Sequence, residues 1–388
     1  MPQRSMPRTA FLIFGAPVIE EGDIAAVTEC LRSGWIGTGR RAGEFEQAFR
    51  HYKGGWGHAL GVNSGTAALH IALTAAQLEP GSEVITTPLT FCATINAVIH
   101  ASLTPVLADV DPVTMNLDPA AVEAAITPRT RALLPVHFAG RACAMDALGD
   151  IARRHNLRVI EDCAHAIETT YHGRPAGTMG DFGCFSFYAT KNVTTAEGGM
   201  ILARDSVHAA RCRTLALHGL TQDAWRRYSD EDFRHYDVVE CGFKYNLTDV
   251  AAALGLRQLD RVERSWLRRE AIWATYMREL EGLPLTVPGP VEPDTRHAYH
   301  LFTVRVTPDA GVSRDQFIAR MAARQIGTGV HYRSIPEHTY YANRFGWTPE
   351  AFPRAMAIGR ETVSLPLSPG LSEDDVADVI DAVHDVLR

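Results

Sequence analysis

The sequence predicts an α/β fold: a large domain with a mainly parallel sheet covered by helices on both faces, followed by a smaller C-terminal α+β domain. Three observations carry that expectation. Short apolar runs alternate with helix-spaced segments between about residues 59 and 203, the rhythm of βαβ units. A Pro/Gly-rich string, EGLPLTVPGPVEP, interrupts the chain from Glu281, and the pattern beyond it mixes isolated strands with helices. The 388 residues are 46% hydrophobic and 21% charged, the balance of a folded globular chain long enough for two or three domains.

Taken in order, residues 22–32 and 44–52 have helical spacing, and the break between them, SGWIGTGR, is a candidate substrate loop carrying Trp35. ALGVN then predicts a strand, Gly65 to Gln77 a helix, EVITTP a strand, a helix from Thr94, and TPVLADV a strand. RALLPVHF, a helix around 143–155 and LRVIEDCA continue the alternation, and GCFSFYA and GGMILA add two more apolar strings. The stretch 220–240, rich in Arg, Asp and Tyr, reads as an excursion from the core. Leu247 to Met277 is strongly helical. We expect a large domain over 1–260, N-terminal segment included, and a connecting helix with the small domain over 261–388. In the latter, HAYHLFTVRV and GTGVHY predict strands and 313–325 a helix; the terminal helix carries Val376, Val379, Ile380, Val383 and Leu387 on one face.

Several classes of function are excluded. The 38 Lys+Arg against 45 Asp+Glu leave a net charge of −7, without the basic excess that binding nucleic acid requires. The seven cysteines show no CxxC or CxC pair, so neither a zinc cage nor a disulfide framework is expected, and a reducing cytoplasm fits. The apolar run from Ala10 to Phe14 is shorter than the core of a signal peptide. No stretch approaches the roughly 18–20 apolar residues of a membrane span.

The chemistry concentrates at a few positions. In SFYATKNVTTAEGG, Lys191 follows a buried strand and precedes a Gly-Gly turn. A poorly solvated lysine loses its proton easily and attacks an aldehyde. Asp162 ends LRVIED, and ligands of open α/β sheets gather at the carboxyl ends of strands. A carboxylate there calls for a cationic partner. The ring nitrogen of pyridoxal phosphate (PLP), kept protonated by an aspartate, is one, and it makes the ring an electron sink. Asp162 or its neighbour Glu161 otherwise caps the next helix. In VNSGTAALHIAL a strand, a Ser-Gly-Thr turn and a helix start follow one another; a helix N-terminus binds phosphate, with Ser64 and Thr66 hydroxyls as added donors, although the same string also serves as a plain N-cap. Ser186 can reach the same phosphate. Phe91 can lie on the cofactor ring and His165 can bond Asp162 or the ring hydroxyl, and both residue types are equally at home in a core.

With these residues assembled, the chain resembles the DegT/DnrJ/EryC1/StrS family of PLP-dependent sugar aminotransferases nearly end to end, through EFEQAFRHYKGG, NSGTAALHIAL, PGSEVITTPLTFCATINAV, VIEDCAHAIE, GDFGCFSFYATKNVTTAEGGM, GFKYNLTDVAAALGLRQL and VSLPLSPGLSEDDV. The resemblance implies a fold-type I aminotransferase with a seven-stranded sheet. It implies a Schiff-base lysine at Lys191 and a ring-nitrogen aspartate at Asp162. It implies phosphate donors at Gly65, Thr66 and Ser186, a stacking ring at Phe91, and His165 near the ring hydroxyl. Asn246 matches the residue that reaches the partner subunit's phosphate, which implies a homodimer with shared sites. His331 and the Trp35 loop match contacts to the nucleotide-sugar, and no metal is implied. Relatives that dehydrate deoxysugars carry histidine in place of Lys191, so the lysine favours transamination. GFKYNLTDVAAALG is similar to the branch acting at sugar C4, implying transfer from glutamate to a nucleotide-linked 4-keto-6-deoxyhexose such as dTDP-4-keto-6-deoxyglucose. The alternatives are a PLP- or pyridoxamine phosphate (PMP)-dependent dehydratase and a non-catalytic regulator that binds a nucleotide-sugar.

Overall fold

The computed structural model describes residues 8–220 and 236–388; most of the polar excursion at 220–240 lies outside them. Its centre is one seven-stranded sheet made of β1 (His58–Val62), β2 (Glu83–Thr86), β3 (Thr104–Leu107), β4 (Thr130–Leu134), β5 (Arg158–Asp162), β6 (Phe182–Ser186) and β7 (Gly199–Ala203). The spatial order is β1-β7-β6-β5-β4-β2-β3. From β6 through β5, β4 and β2 to β3 all pairings are parallel, and β7 runs antiparallel to both β6 and β1. Helices on both faces bury β2, β6 and β7 throughout, which is why β6 and β7 read as nearly unbroken apolar runs and not as alternations.

One helix shows how local chemistry sets the layers. α3 (Gly65–Ala75) is apolar on all sides, with every residue from Ala67 to Leu73 buried, because it lies between the sheet and α7 (Ser206–Ala216). At the other face α1 (Glu21–Ser33) and α2 (Arg40–Tyr52) pack against α8 (Asp249–Asp260). The buried Asp249 carboxylate accepts the amides of Gly39, Arg41 and Ala42, supplying the negative charge that the start of α2 lacks in its own sequence.

The strand directions decide where function gathers. β1, β5 and β6 all finish at one edge of the sheet, and the reversed β7 begins there, with Gly199 opposite both Val62 and Ser186.

A second hydrophobic core forms around α9 (Val262–Glu279), whose Ile272, Trp273 and Tyr276 pack with Phe302, Phe317, Val363, Val379 and Val383. It includes the antiparallel pair Phe302–Arg305 and Thr362–Leu365 and the terminal helix Glu373–Val386. The N-terminal residue Leu12 joins this core through hydrogen bonds to the Gln325 carbonyl (2.8 Å) and from the Gly327 amide (2.9 Å).

Two strand expectations need correction. GTGVHY forms no strand beyond a single bridge from Gly329 to Ser364. A Cβ at Gly327 would meet the Leu12 carbonyl oxygen at 2.7 Å, and one at Gly329 the His331 ring at 2.7 Å, so the first glycine serves close backbone approach and the second makes room for a side chain. In HAYHLFTVRV only Phe302–Arg305 is strand, because the amides of Ala298 and His300 are drawn away to the carbonyls of Gly140 and Ala139. Among the described residues no helix is long and apolar enough to cross a membrane.

Candidate active site

A cavity of about 510 Å³ opens at the carboxyl edge of the sheet. Its floor is built from the ends of β1, β5 and β6 with the loops that follow them; its roof comes from His300, Leu301, His331, Tyr332 and Leu367.

On the floor, Asp162 is 4% exposed. The Thr94 hydroxyl donates to Oδ2 at 2.9 Å and the Ala164 amide to Oδ1 at 3.1 Å. Burial lifts its pKa above the usual carboxylate range, against the opposing pull of these two bonds and of the Lys191 charge. A carboxylate held this way gains from a cation placed beside it. Lys191 sits in the turn between β6 and β7, its amide bonded to the Tyr188 carbonyl at 2.9 Å. Desolvation brings its pKa down to about 8, with Asp162 working the other way. Its amine is therefore largely neutral at mildly alkaline pH, as a nucleophile must be.

Across the floor α3 presents its N-terminus. The Ser64 hydroxyl accepts the Ala67 amide at 3.0 Å and the Ser64 carbonyl accepts the Ala68 amide at 3.0 Å. Of the four amides a helix start leaves without partners, those of Gly65 and Thr66 remain for a ligand. Ser186 closes the same pocket: a Cβ on Gly65 would stand 2.8 Å from the Ser186 Cβ and 3.2 Å from its hydroxyl. Such a cradle of free amides, hydroxyls and no side-chain bulk suits a phosphate.

Phe91, the residue before α4 (Cys92–His100), lines the cavity with 57% of its surface exposed, an apolar face available to a flat ring. His165 lines it too. Its Nδ1 accepts the Ala139 amide at 3.2 Å, and its Nε2 lies 3.0 Å from the Tyr332 hydroxyl. Burial pushes the His165 pKa well below the ordinary histidine value. His331, on the roof, bonds the Ser364 hydroxyl through Nδ1 at 2.8 Å, and burial lowers its pKa to about 4. The residues present thus fit PLP: an anion cradle, a neutral-capable amine, a buried carboxylate and an open aromatic face on one cavity.

Two expected site residues stand apart. Trp35 is half exposed, its indole N–H donating to the Thr38 carbonyl at 3.3 Å, and Asn246 donates to the Thr38 hydroxyl; neither lines this chain's cavity. Residues the sequence did not single out do line it: Thr94, His300 and Tyr332. Tyr332 follows the nominated His331 directly and Thr94 comes one turn after Phe91, but a hydroxyl's orientation has no signature in a motif. A buried group of His137, Glu161 and Cys163 lies directly behind β5. There Glu161 accepts the amides of Gly177, Met179 and Gly180 and bonds His137, which fixes the strand end beneath Asp162.

An open α/β sheet whose carboxyl edge joins an anion-binding helix start to a desolvated lysine and a buried carboxylate is the architecture of the PLP-dependent fold-type I aminotransferases. The chain belongs to the DegT/DnrJ/EryC1/StrS aminotransferase family, whose model matches residues 17–384. It is 46% identical over 383 residues to the spore coat polysaccharide biosynthesis protein SpsC of Bacillus subtilis, covering 98% of each chain. Among solved structures it is similar to the putative sugar aminotransferase Spr1654 from Streptococcus pneumoniae in its PMP form, with a TM-score of 0.90, 32% identity, and 97% of this chain and 99% of that one covered. The PLP form of the same protein gives a TM-score of 0.89. Helicobacter pylori PseC, an aminotransferase involved in the biosynthesis of pseudoaminic acid, gives 0.91 at 27% identity, covering 98% and 99%.

Proposed function

We propose that the protein transfers an amino group from glutamate to a nucleotide-linked 4-keto-6-deoxyhexose, with dTDP-4-keto-6-deoxyglucose as the specific acceptor, and works as a cytoplasmic homodimer. The observation that carries this reading is the meeting of Lys191, Asp162 and the free start of α3 on one cavity. Gly65, Thr66 and Ser186 would hold the phosphate of PLP, Phe91 would lie on its ring, His165, its ring nitrogens engaged by the Ala139 amide and the Tyr332 hydroxyl, would stand near the ring hydroxyl without bonding it, and Asp162 would face the ring nitrogen. When bound, the cofactor supplies an electron-poor ring through which an amino group passes from one carbon skeleton to another. The rest is done by side chains. The Lys191 amine anchors the cofactor between turnovers, takes the proton from the α-carbon of the donor, and later returns a proton to the sugar carbon that becomes aminated. Asp162, whose charge the Thr94 and Ala164 donors favour against its burial, would gain further from the cationic ring nitrogen beside it. Asn246 serves the partner subunit's site, and His331 and the Trp35 loop meet the nucleotide-sugar. The division into domains 1–260 and 261–388 belongs to the same reading.

The string GFKYNLTDVAAALG supports action at C4, and the intact Lys191 weighs against the dehydratase and regulator readings. The expected kinetics are ping-pong. The test is direct: the purified protein with PLP is expected to show a yellow band lost on borohydride treatment, and to release 2-oxoglutarate from glutamate when offered 4-keto-6-deoxyhexose nucleotides. Lys191→Ala is expected to lose both the band and the turnover. Near-normal turnover in that variant, or sugar deoxygenation without keto acid release, would overturn the proposal.

A further inference from the structure

Two hydrogen-bond chains end on the roof of the cavity, and they run in opposite directions. The first starts at the Ala139 amide, which donates to His165 Nδ1 at 3.2 Å. A neutral imidazole that accepts at Nδ1 carries its proton on Nε2, so His165 donates to the Tyr332 hydroxyl oxygen, 3.0 Å away. The Tyr332 hydroxyl is then left with its own proton to give. It lines the cavity.

The second chain starts at a buried ion pair. Arg269 is bonded to Glu168, both nearly inaccessible. The Asn192 amide nitrogen donates twice, to the Glu168 carboxylate at 2.9 Å and to the Ala298 carbonyl at 3.0 Å. Both of its protons are spent, so the bond of 2.9 Å between Asn192 Oδ1 and His300 Nδ1 has only one polarity: the histidine donates. His300, kept neutral by burial, then holds a lone pair on Nε2 with no hydrogen-bond partner among the described residues. It also lines the cavity. The His165 and His300 rings lie against each other with centroids 4.4 Å apart, and His165 stacks on Tyr332 with centroids 6.0 Å apart, so His165 links the donor and the acceptor residues and all three line one cavity. Lys191 lies near enough for its charge to act on both imidazoles.

A sugar hydroxyl can accept from one side and donate to the other at a single atom, as this pair asks; an ammonium has nothing to accept with and a carboxylate nothing to donate. We propose that Tyr332 and His300 form a clamp for the sugar hydroxyl on the carbon next to the one that is aminated, and so make that hydroxyl a requirement of the substrate. This inference rests on the proposed keto-sugar reaction and adds the specificity determinant to it. Asn192, Glu168 and Arg269 are positioning residues that set the His300 tautomer.

The experiment compares two probes on the PLP-loaded enzyme: a 4-amino-6-deoxyhexose nucleotide and its 3-deoxy analogue. Their dissociation constants are measured by calorimetry, and 2-oxoglutarate release is measured with the matching keto sugars. The wild type is expected to bind the hydroxylated probe at least about tenfold more tightly, as two neutral hydrogen bonds allow. Tyr332→Phe and His300→Leu are expected each to cut that ratio several-fold by weakening only the hydroxylated probe, while His300→Gln, which keeps an acceptor, restores part of it. Equal losses on both probes, or an unchanged ratio, would overturn the clamp. A shifted cofactor absorption band in Tyr332→Phe with the ratio intact would also overturn it, by assigning the pair to the hydroxyl of the cofactor ring. Failure of the wild type to release keto acid with any keto sugar would instead remove the underlying reaction.

Discussion

Lys191 illustrates what a single position reveals. Its place between an apolar strand and a Gly-Gly turn made it a candidate only together with Asp162 and the Ser-Gly-Thr turn, since a lysine after a strand is ordinarily solvated; the fold gives it a pKa of about 8 against about 10.4 for a lysine in an unfolded chain. The folded state therefore binds fewer protons at this site between those two values. The site's contribution to apoprotein stability rises with pH across that window and is lost as pH falls through 8. Uptake of PLP needs the neutral amine, so its rate in the apoprotein, followed by absorbance, is expected to climb with a midpoint near pH 8 and level off above it. A midpoint near 10.4 would mean that the amine is as well solvated as in a free chain. Asp162 was legible because a charge at the end of an apolar strand is conspicuous. His300 and Tyr332 were not, because their importance lies in the direction of hydrogen bonds contributed by Asn192 and His165, partners more than 100 residues away in sequence.

At the level of elements, α3 is the clearest case of local chemistry preparing a site. Ser64 caps the helix through the Ala67 amide and leaves the two preceding amides free, while Gly65 keeps the space beside Ser186 open. Gly65→Ala is expected to raise the PLP dissociation constant by about tenfold, or about 1.4 kcal/mol, and also to lower the thermal stability of the apoprotein, because the added Cβ would stand 2.8 Å from the Ser186 Cβ. Fluorescence titration with PLP checks this, and an unaltered constant would show that the cradle is not the phosphate site. Periodicity located the sheet strands and their helices well because most strand residues are buried. It failed for GTGVHY, where Gly327 admits the Leu12 backbone and Gly329 the His331 ring, close approaches that leave no mark in the alternation.

For the whole molecule, the cavity draws its floor from residues 64–197 and its roof largely from residues 300–367, so it exists only when the two cores sit together. The buried Arg269–Glu168 pair ties α9 to the loop after β5. Arg269→Met is expected to leave Glu168 charged without a partner and to cost about 3–5 kcal/mol, read from the midpoint of denaturant unfolding with PLP absent; a loss below about 1 kcal/mol would mean that Glu168 is neutralised some other way. The order of strands and the roofing of one core by the other had no trace in the motifs, since both depend on contacts between distant segments.

The reversal of β7 has one more consequence. Because β7 returns beside β6, the segment 187–198 that carries Lys191 is a closed loop with both ends tied at the facing pair Ser186 and Gly199, and internal bonds such as that from the Phe187 amide to the Gly198 carbonyl at 2.8 Å draw it tighter. A short loop shut in this way has little entropy to regain by opening. Its amide hydrogens should then exchange with deuterated solvent almost as slowly as those of the neighbouring strands, so that the amine stays registered to the sheet even while more weakly held segments breathe.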